Sequence, residues 1–361
     1  MRHILFLLFV SASVHSQESL NIELLDNWTN NDLMVNSTEI RYNECWGFVQ
    51  NKQEYAVLGS TEGTHFFSIS DNGIFNEADM VSGNYQATTV IHRDIKIYKN
   101  YAYLVCDEGA SSLQIVDLSY LPDSVEVVYE SAFDLVNEFY NCHNVFIDTN
   151  NALLYACSPA VSDGVVTQQR NFRVYSLSNP IDPVLIWNPD PATFPLVHDC
   201  YVKDNIAYLN CGNDGLRVYD FTVPSSPLFL QNFDIYQEQG YNHQGWLTPN
   251  GKKYIFADET NGKLIKICSV ENNQISIDSY FGTNSENNSI PHNVMCSDTF
   301  LYVAYYNEGL RIYDIRETPP KEIAHYDTYP DESAFTMNGA WGVYSNLPSG
   351  RIIISDRKYG L

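Results

Sequence analysis

Four histidines stand out by type and spacing. His143, His198, His243 and His292 recur at roughly 50-residue intervals, each at the start of an apolar run. Each is followed by a residue with a side-chain oxygen: Asn144, Asp199, Gln244 and Asn293. Arg93-Asp94 occupies the corresponding place in an earlier stretch. Imidazole and carboxylate are preferred ligands of zinc, manganese, iron and nickel, and a neighbouring oxygen can orient a ring nitrogen. A metal with an open position polarises a substrate oxygen or activates water. The same His/Asp set can act as general acid and base without a metal. Against both stands a plain alternative, in which polar residues satisfy backbone groups at crowded strand starts and recur because the unit recurs.

The unit is clearest in His198–Asp220, HDCYVKDNIAYLNCGNDGLRVYD. Three alternating apolar runs are separated by Lys-Asp-Asn and Asn-Asp-Gly turns, the signature of tight antiparallel hairpins. First strands read WGFV, RDIKIY, HNVFI, HDCYV, HQGWL, HNVMC and WGVY; second strands run from YAVLGS to RIIISD. Third strands include LQIVDLS, FRVYSLS, LRVYDFT and LRIYDIR. Weaker fourth-strand runs follow, as in Val125–Tyr129 and Leu228–Phe233. A period of two excludes helical repeats, and units of roughly 45–50 residues are too long for solenoid coils. The pattern predicts an all-β fold, a seven-bladed β-propeller over residues 45–361 whose last repeat is incomplete. Residues 17–44 precede it, and Leu20–Leu25 is the expected closure strand, which would remove an exposed sheet edge.

In a propeller the first strands line the channel, so their openings gather at one mouth. The second strands return to that face with their turns, Thr61-Glu62, Asp107-Glu108, Asn213-Asp214, Asp258-Glu259 and Asn307-Glu308. The candidate ligand-binding set is therefore Arg93, Asp94, His143, His198, Asp199, His243, His292, Asp258 and Glu259. The candidate metal ligands are His143, His198, His243 and His292, for a divalent ion. No catalytic residue is assigned. Trp46 and Trp341 are expected to pack against one another across the closure. His65, His92 and His325 read as isolated surface or turn residues.

Residues 1–16 have the form of a secretory signal peptide, with Arg2 and His3 before the apolar run Ile4–Val10. No stretch approaches the roughly 18 apolar residues of a membrane span. With 20 basic and 44 acidic residues the formal net charge is −24, which excludes a backbone-phosphate binder, and nucleic acid is not an expected partner. Of the eight cysteines, Cys200 and Cys211 flank one hairpin turn and are the candidate disulfide; the alternative is that both are small buried apolar residues. Asn27, Asn36 and Asn287 head glycosylation patterns. Serine-nucleophile elbows, phosphate loops and HExxH motifs are absent from the sequence.

The set WGFV, RDIKIY, HNVFID, HDCYV, NHQGWLTPNG, PHNVMC, GLRIYDI, HYDTYP and GAWGVYSNLPSGRIIIS resembles the LVIVD-repeat, choice-of-anchor B family of bacterial surface proteins. The resemblance runs from about Glu44 to Leu361. It implies a secreted or cell-surface β-propeller of unassigned activity, often followed by a sorting or anchoring tail. Leu361 falls where the last strand of that pattern would run on, so the tail is either absent or beyond this sequence. Two function classes remain. The favoured one is an exported, monomeric, noncatalytic propeller that binds a small ligand or a protein partner. The other is a metal-dependent hydrolase or lactonase-like enzyme working at the His/Asp ring.

Overall fold

The computed structural model describes residues 18–361 except 36, 133–138, 284–288 and 331–336. The leader-like residues 1–16 and the glycosylation patterns at Asn36 and Asn287 therefore lie outside the described residues. Every regular element among the described residues is a strand. None is a helix long and apolar enough to cross a membrane.

Six four-stranded antiparallel sheets form the blades of a β-propeller. Their inner strands are Tyr42–Gln50, Arg93–Tyr98, Asn144–Asp148, Asp199–Lys203, Asn242–Leu247 and Val294–Cys296, which open blades I to VI. The expected seven-bladed count is corrected to six. Among the described residues the last repeat forms a two-stranded hairpin, Ala340–Tyr344 with Ile353–Asp356. This hairpin is wedged between blades VI and I, where Val343 packs with Met295 and Ile353 packs with Cys45 and Leu58. Ser19–Leu20 pairs with Tyr326 and His325 as a fifth strand on blade VI. Farther along, Trp28 exchanges backbone hydrogen bonds with Leu361.

The core is divided among the gaps between sheets. Each gap holds its own apolar cluster because period-two strands bury both faces when a blade stands between two neighbours. Leu104 and Val57 fill the gap between blades I and II, Val105 and Val145 the next, and Leu209 and Val174 the one after. Asx-type turns and residues with positive φ, such as Asp204 and Asn205, connect inner to second strands.

Near the axis, polar side chains tie each blade to the next. Asp94 accepts the Val145 N–H at 2.8 Å, and Gln244 accepts the Val294 N–H at 2.8 Å. Asn144 donates to the His198 carbonyl, and Asn293 reaches over the hairpin to Glu44 at 2.6 Å. That last span requires Gly342, since a Cβ there would lie 1.9 Å from the Glu44 carboxylate.

All eight cysteines are free and buried. The Cys200–Cys211 disulfide is corrected for a reason of register. Cys200 stands opposite Leu209, and Cys211 lies two residues beyond that rung, past the end of the paired segment. Cys200 Sγ lies 3.6 Å from the Cys157 Sγ of blade III.

Asp258 and Lys266 form an ion pair at 2.7 Å with both side chains fully buried. Removing one partner of such a pair strands the other charge, which costs about 3–5 kcal/mol. Lys266→Met is expected to lower the free energy of unfolding by that amount, read from the midpoint of urea denaturation.

Candidate functional site

Three tiers of side chains line the channel. The uppermost holds imidazoles, the second carboxylates and amides, and the third aromatic rings. Alternation along each inner strand explains the lower two, because Asn144 and Phe146, Asp199 and Tyr201, and Gln244 and Trp246 share one face. The histidines sit at the strand starts, where the chain turns in from the neighbouring blade.

The aromatic tier closes the far end. Trp246 packs on Tyr201 at 4.8 Å and approaches Trp46 at 6.3 Å, while Trp46 meets Tyr344 at 5.1 Å. The Lys96 ammonium lies 4.4 Å above the Trp46 ring. The expectation that Trp46 and Trp341 pack together is not met. Trp341 lies in the upper tier against His292, with ring centres 4.0 Å apart, and under the Arg357 guanidinium. The cause is register: the blade I strand begins at Tyr42, so Trp46 lies deep within it and Glu44 fills the middle tier.

In the middle tier Glu44, Asp94 and Asp199 share one ammonium, that of Lys96, which bonds Asp94 at 2.6 Å. Burial, followed by the charge of Asp94, pushes the Glu44 carboxyl up to about 8. Burial pushes Asp199 up to about 7, against the pull of Lys96. The two small voids bounding this tier measure about 30 Å³ and 20 Å³. Spaces of that size, lined by polar atoms, take a water or an ion and nothing larger.

The imidazoles form a directed ring. His198 Nδ1 faces the His243 carbonyl at 3.1 Å, His243 Nδ1 the His292 carbonyl at 3.2 Å, and His292 Nδ1 the Trp341 carbonyl at 2.7 Å. A carbonyl only accepts, so each Nδ1 carries the proton and, in a neutral ring, each Nε2 keeps its lone pair. Burial holds His198 and His292 well below the ordinary histidine range, and it lowers His243 despite the Glu259 charge. His143 differs. Burial works against its charge, but the hydrogen bond and charge of Asp107, 3.0 Å away, raise it above the ordinary value. Its Nε2 lies 2.8 Å from His198 Nε2, the geometry of an imidazolium donating to a neutral ring.

Glu259 completes the cluster. Its Oε2 lies 3.7 Å from His243 Nε2, and Tyr306 donates to its Oε1. Ligand atoms of His198, His243 and Glu259 all fall within 4.8 Å of one another. Donors about 2.1 Å from one tetrahedral ion stand about 3.4 Å apart, so the widest pair would draw together by up to about 1.4 Å to hold it. Neutral imidazoles whose Nδ1–H bonds a carbonyl are the usual protein ligands of transition metals.

Other expected members lie elsewhere. His292 is in the ring but packs against Trp341 in a tilted contact and lies outside the three-donor cluster. Arg93 turns back into the wall between blades I and II, donating to the Ser60 and Tyr85 carbonyls. Asp258 is spent on Lys266, Tyr236 and the Gly240 amide. Asp94 and Asp199 sit one tier below the mouth. Of the acidic turns, Asp107, Glu108 and Glu259 reach the ring, whereas Glu62 caps the Met34 amide and Glu308 pairs with Arg311.

The three histidines read as isolated are not, and His325 pairs with Glu322 at 2.7 Å within a blade VI strand. His92 belongs to the upper tier, 5.3 Å from the His143 ring and 5.5 Å from Trp341, and its Nδ1 bonds Glu108 at 2.7 Å. The signal was present in the sequence: His92 precedes Asp94 by one residue more than His143 precedes Asn144 in its place. His65 bridges Ser60 at 3.0 Å and Glu77 at 2.7 Å. These are the distances of a catalytic triad, but Ser60 is fully buried and its Oγ already receives the Glu62 and Gly63 amides. The relay staples a turn.

Comparison with known proteins supports the fold. Residues 92–124 and 291–328 match the LVIVD repeat, so the chain carries LVIVD repeats. No curated protein matches. Among solved structures, a protein of unknown function from Desulfotomaculum acetoxidans aligns with a TM-score of 0.59 at 8% identity, over 82% of this chain and 88% of that one. The WD40 propeller domain of Doa1 aligns at 0.58 and 11% identity over 95% of both chains. The periplasmic gluconolactonase of Pseudomonas aeruginosa aligns at 0.56 and 14% identity, over 77% of this chain and 82% of the other. At such identities the likeness is one of fold.

The assigned protonation states have a direct readout. Imidazole nitrogen shifts in NMR spectra are expected to show His198 and His292 still neutral where an ordinary histidine is already protonated, with His143 still charged where an ordinary histidine is neutral. The stability linked to neutral His198 and His292 is present above pH 6.5 and lost as pH falls toward their folded values. That linked to His143 is present below 6.5 and lost as pH rises through its folded value.

Proposed function

We propose that this chain is an exported binding propeller whose channel mouth holds one divalent transition metal on His198, His243 and Glu259. The observation that carries the reading is the approach of the Glu259 carboxylate to the unprotonated His243 Nε2, beside His198 Nε2, which would exchange its hydrogen bond from His143 for the ion. A lone pair and a carboxylate facing one another repel unless a proton or a cation lies between them. Below the ring the voids take only water-sized occupants, so a larger ligand must sit above it. There the metal's remaining positions would hold an oxygen donor of that ligand. Export rests on the leader-like residues 1–16 and on the acidic composition.

A second reading has its own observation. The Asp107–His143 pair stands beside His198, where it would hold and release a proton, and a metal bound at the mouth would supply Lewis-acid activation of water. The chemistry would be hydrolytic, with a lactone among the substrates to try first. The gluconolactonase of similar fold adds little to this, at 14% identity.

Elemental analysis of the mature protein, made without a metal-binding tag, is expected to give about one equivalent of a transition metal that chelation removes. Glu259→Gln and His198→Ala should each lower the affinity for added zinc tenfold or more while melting cooperatively. Full occupancy in a variant lacking both His198 and His243 would remove the assignment. Turnover of a lactone by the metal-loaded protein, lost with Glu259→Gln, would select the hydrolytic reading over simple binding.

A further inference from the structure

The mouth carries a further group that neither the lacing of the blades nor the metal site uses. Arg357 is the first residue beyond the Ile353–Asp356 strand, as Asp107, Glu259 and Tyr306 are the first residues beyond theirs. The repeat therefore delivers it to the same face. Its guanidinium lies 4.3 Å over the ring of Trp341, which lines the upper void with His92, His143, His243 and His292. The residue is 4% exposed. Nη1 donates to the Met337 carbonyl at 2.7 Å, whereas Nε is buried without a partner. We propose that Arg357 is the anion-recognising residue of the mouth, which rests on reading the mouth as a binding site. The ligand is a small organic acid whose carboxylate takes the Nε edge of this guanidinium while a second oxygen of the same molecule faces the histidines.

A buried guanidinium is ordinarily matched by a carboxylate, because a charge taken out of water is costly unless it is paired. With 44 acidic residues in the chain such partners are plentiful. Yet among the described residues the Arg357 side chain donates to the Met337 carbonyl alone. Burial works against its charge, and Tyr306, Glu259, Glu108 and Asp356 act for it. Each of these acids is engaged elsewhere. Glu108 holds the His92 ring at 2.7 Å. Glu259 takes the Tyr306 hydroxyl on one oxygen and faces His243 with the other. Asp356 accepts the Lys358 and Tyr359 amides on one oxygen and the Thr328 hydroxyl on the other. Their field favours the charged guanidinium, but none of them supplies the acceptor that Nε lacks.

The chemistry of the missing acceptor follows from the fork. Nε–H and Nη2–H of an arginine lie in one plane and match the two oxygens of a carboxylate. Trp341 holds that plane from beneath through the cation–π contact. A single negative charge suits the surroundings better than a double one, since Glu108 and Glu259 stand beside the guanidinium. The other cations near the axis are already matched or turned away. Lys96 is bound to Asp94 a tier below, charged His143 to Asp107, and Arg93 points into the wall between blades I and II. The histidines, and a metal held on them, call for an uncharged oxygen at the other end of the ligand. The ligand class is thus a monocarboxylate with a hydroxyl, ether or carbonyl oxygen farther along its chain.

The test titrates the full chain by calorimetry with ω-hydroxycarboxylates of increasing length, using diols of equal length as uncharged controls. Metal content is measured on the same samples. At least one acid is expected to bind tenfold or more tightly than its diol, and its addition should shift the Arg357 Nε–H resonance in NMR spectra. Arg357→Lys keeps a charge over Trp341 but loses the fork. It should weaken that acid at least tenfold while leaving diol binding, metal content and cooperative melting unchanged. The resonance shift is read on the unaltered protein, so the assignment stays testable even where the variant folds poorly. Four results would each overturn it: no acid preferred over its diol, an unmoved Nε–H resonance, full acid affinity in a folded Arg357→Lys, or tighter binding of the matching phosphate monoester. Metal-free protein would count against the metal site alone, because the preference for acid over diol needs only Arg357 and decides the assignment as before.

Discussion

Bringing the ends of many sheets to one axis creates a problem that the rest of this molecule answers. Inner strands begin so close together that their first backbone groups are shut off from water, and a buried unpaired carbonyl or amide costs about 1–3 kcal/mol. Here the neighbouring blade supplies the partner. Asp94 bonds the Val145 amide, Gln244 the Val294 amide, and the Nδ1 of three histidines bonds the carbonyl of the next opening residue. Structure and chemistry are therefore two ends of one imidazole. The nitrogen that laces the blades is protonated, which leaves the other as an acceptor: in His198 it takes the His143 N–H, and in His243 it faces the Glu259 carboxylate.

This coupling weighs the plain reading of the histidines against the chemical one. Recurrence at strand starts is explained by the lacing alone. Lacing does not explain why Glu259 is drawn toward His243, held there by Tyr306, or why Asp107 charges His143 beside a neutral His198. Those acids come from the second-strand turns of their blades. Turns elsewhere in the ring spend the same residue types on caps and surface pairs. The local concentration on blades II to V is what makes a site out of a ring.

The hairpin between blades VI and I shows the same economy in apolar packing. It is thin, yet it fills the gap because Gly47 and Gly342 let neighbouring side chains approach, Tyr344 against the first and Glu44 against the second. The N-terminal segment then wraps its outer side, anchored at Ser19–Leu20 on blade VI and at Trp28 on Leu361. Seven recurrences in a sequence do not make seven equal sheets. A blade needs four paired strands, and among the described residues the last repeat provides two.

Much was legible from residues alone. Period-two runs between Asx and glycine turns specify hairpins through local sterics, so the all-β repeat architecture and most strand boundaries follow from short stretches of chain. The facing of His198 and His243 toward the mouth follows as well, from their place at strand starts. What sequence could not decide was register at the axis. Counting from the Trp-Gly pair placed Trp46 two tiers too high, because an irregularity in the first rungs of blade I shifts which side chain meets the channel, and counting from Arg93 hid His92. It also could not decide between partners of equal type: Asp258 and Glu259 are adjacent, yet one faces a buried lysine and the other the mouth. Alternation puts neighbours on opposite faces, and only the packed neighbouring blades determine what each face meets.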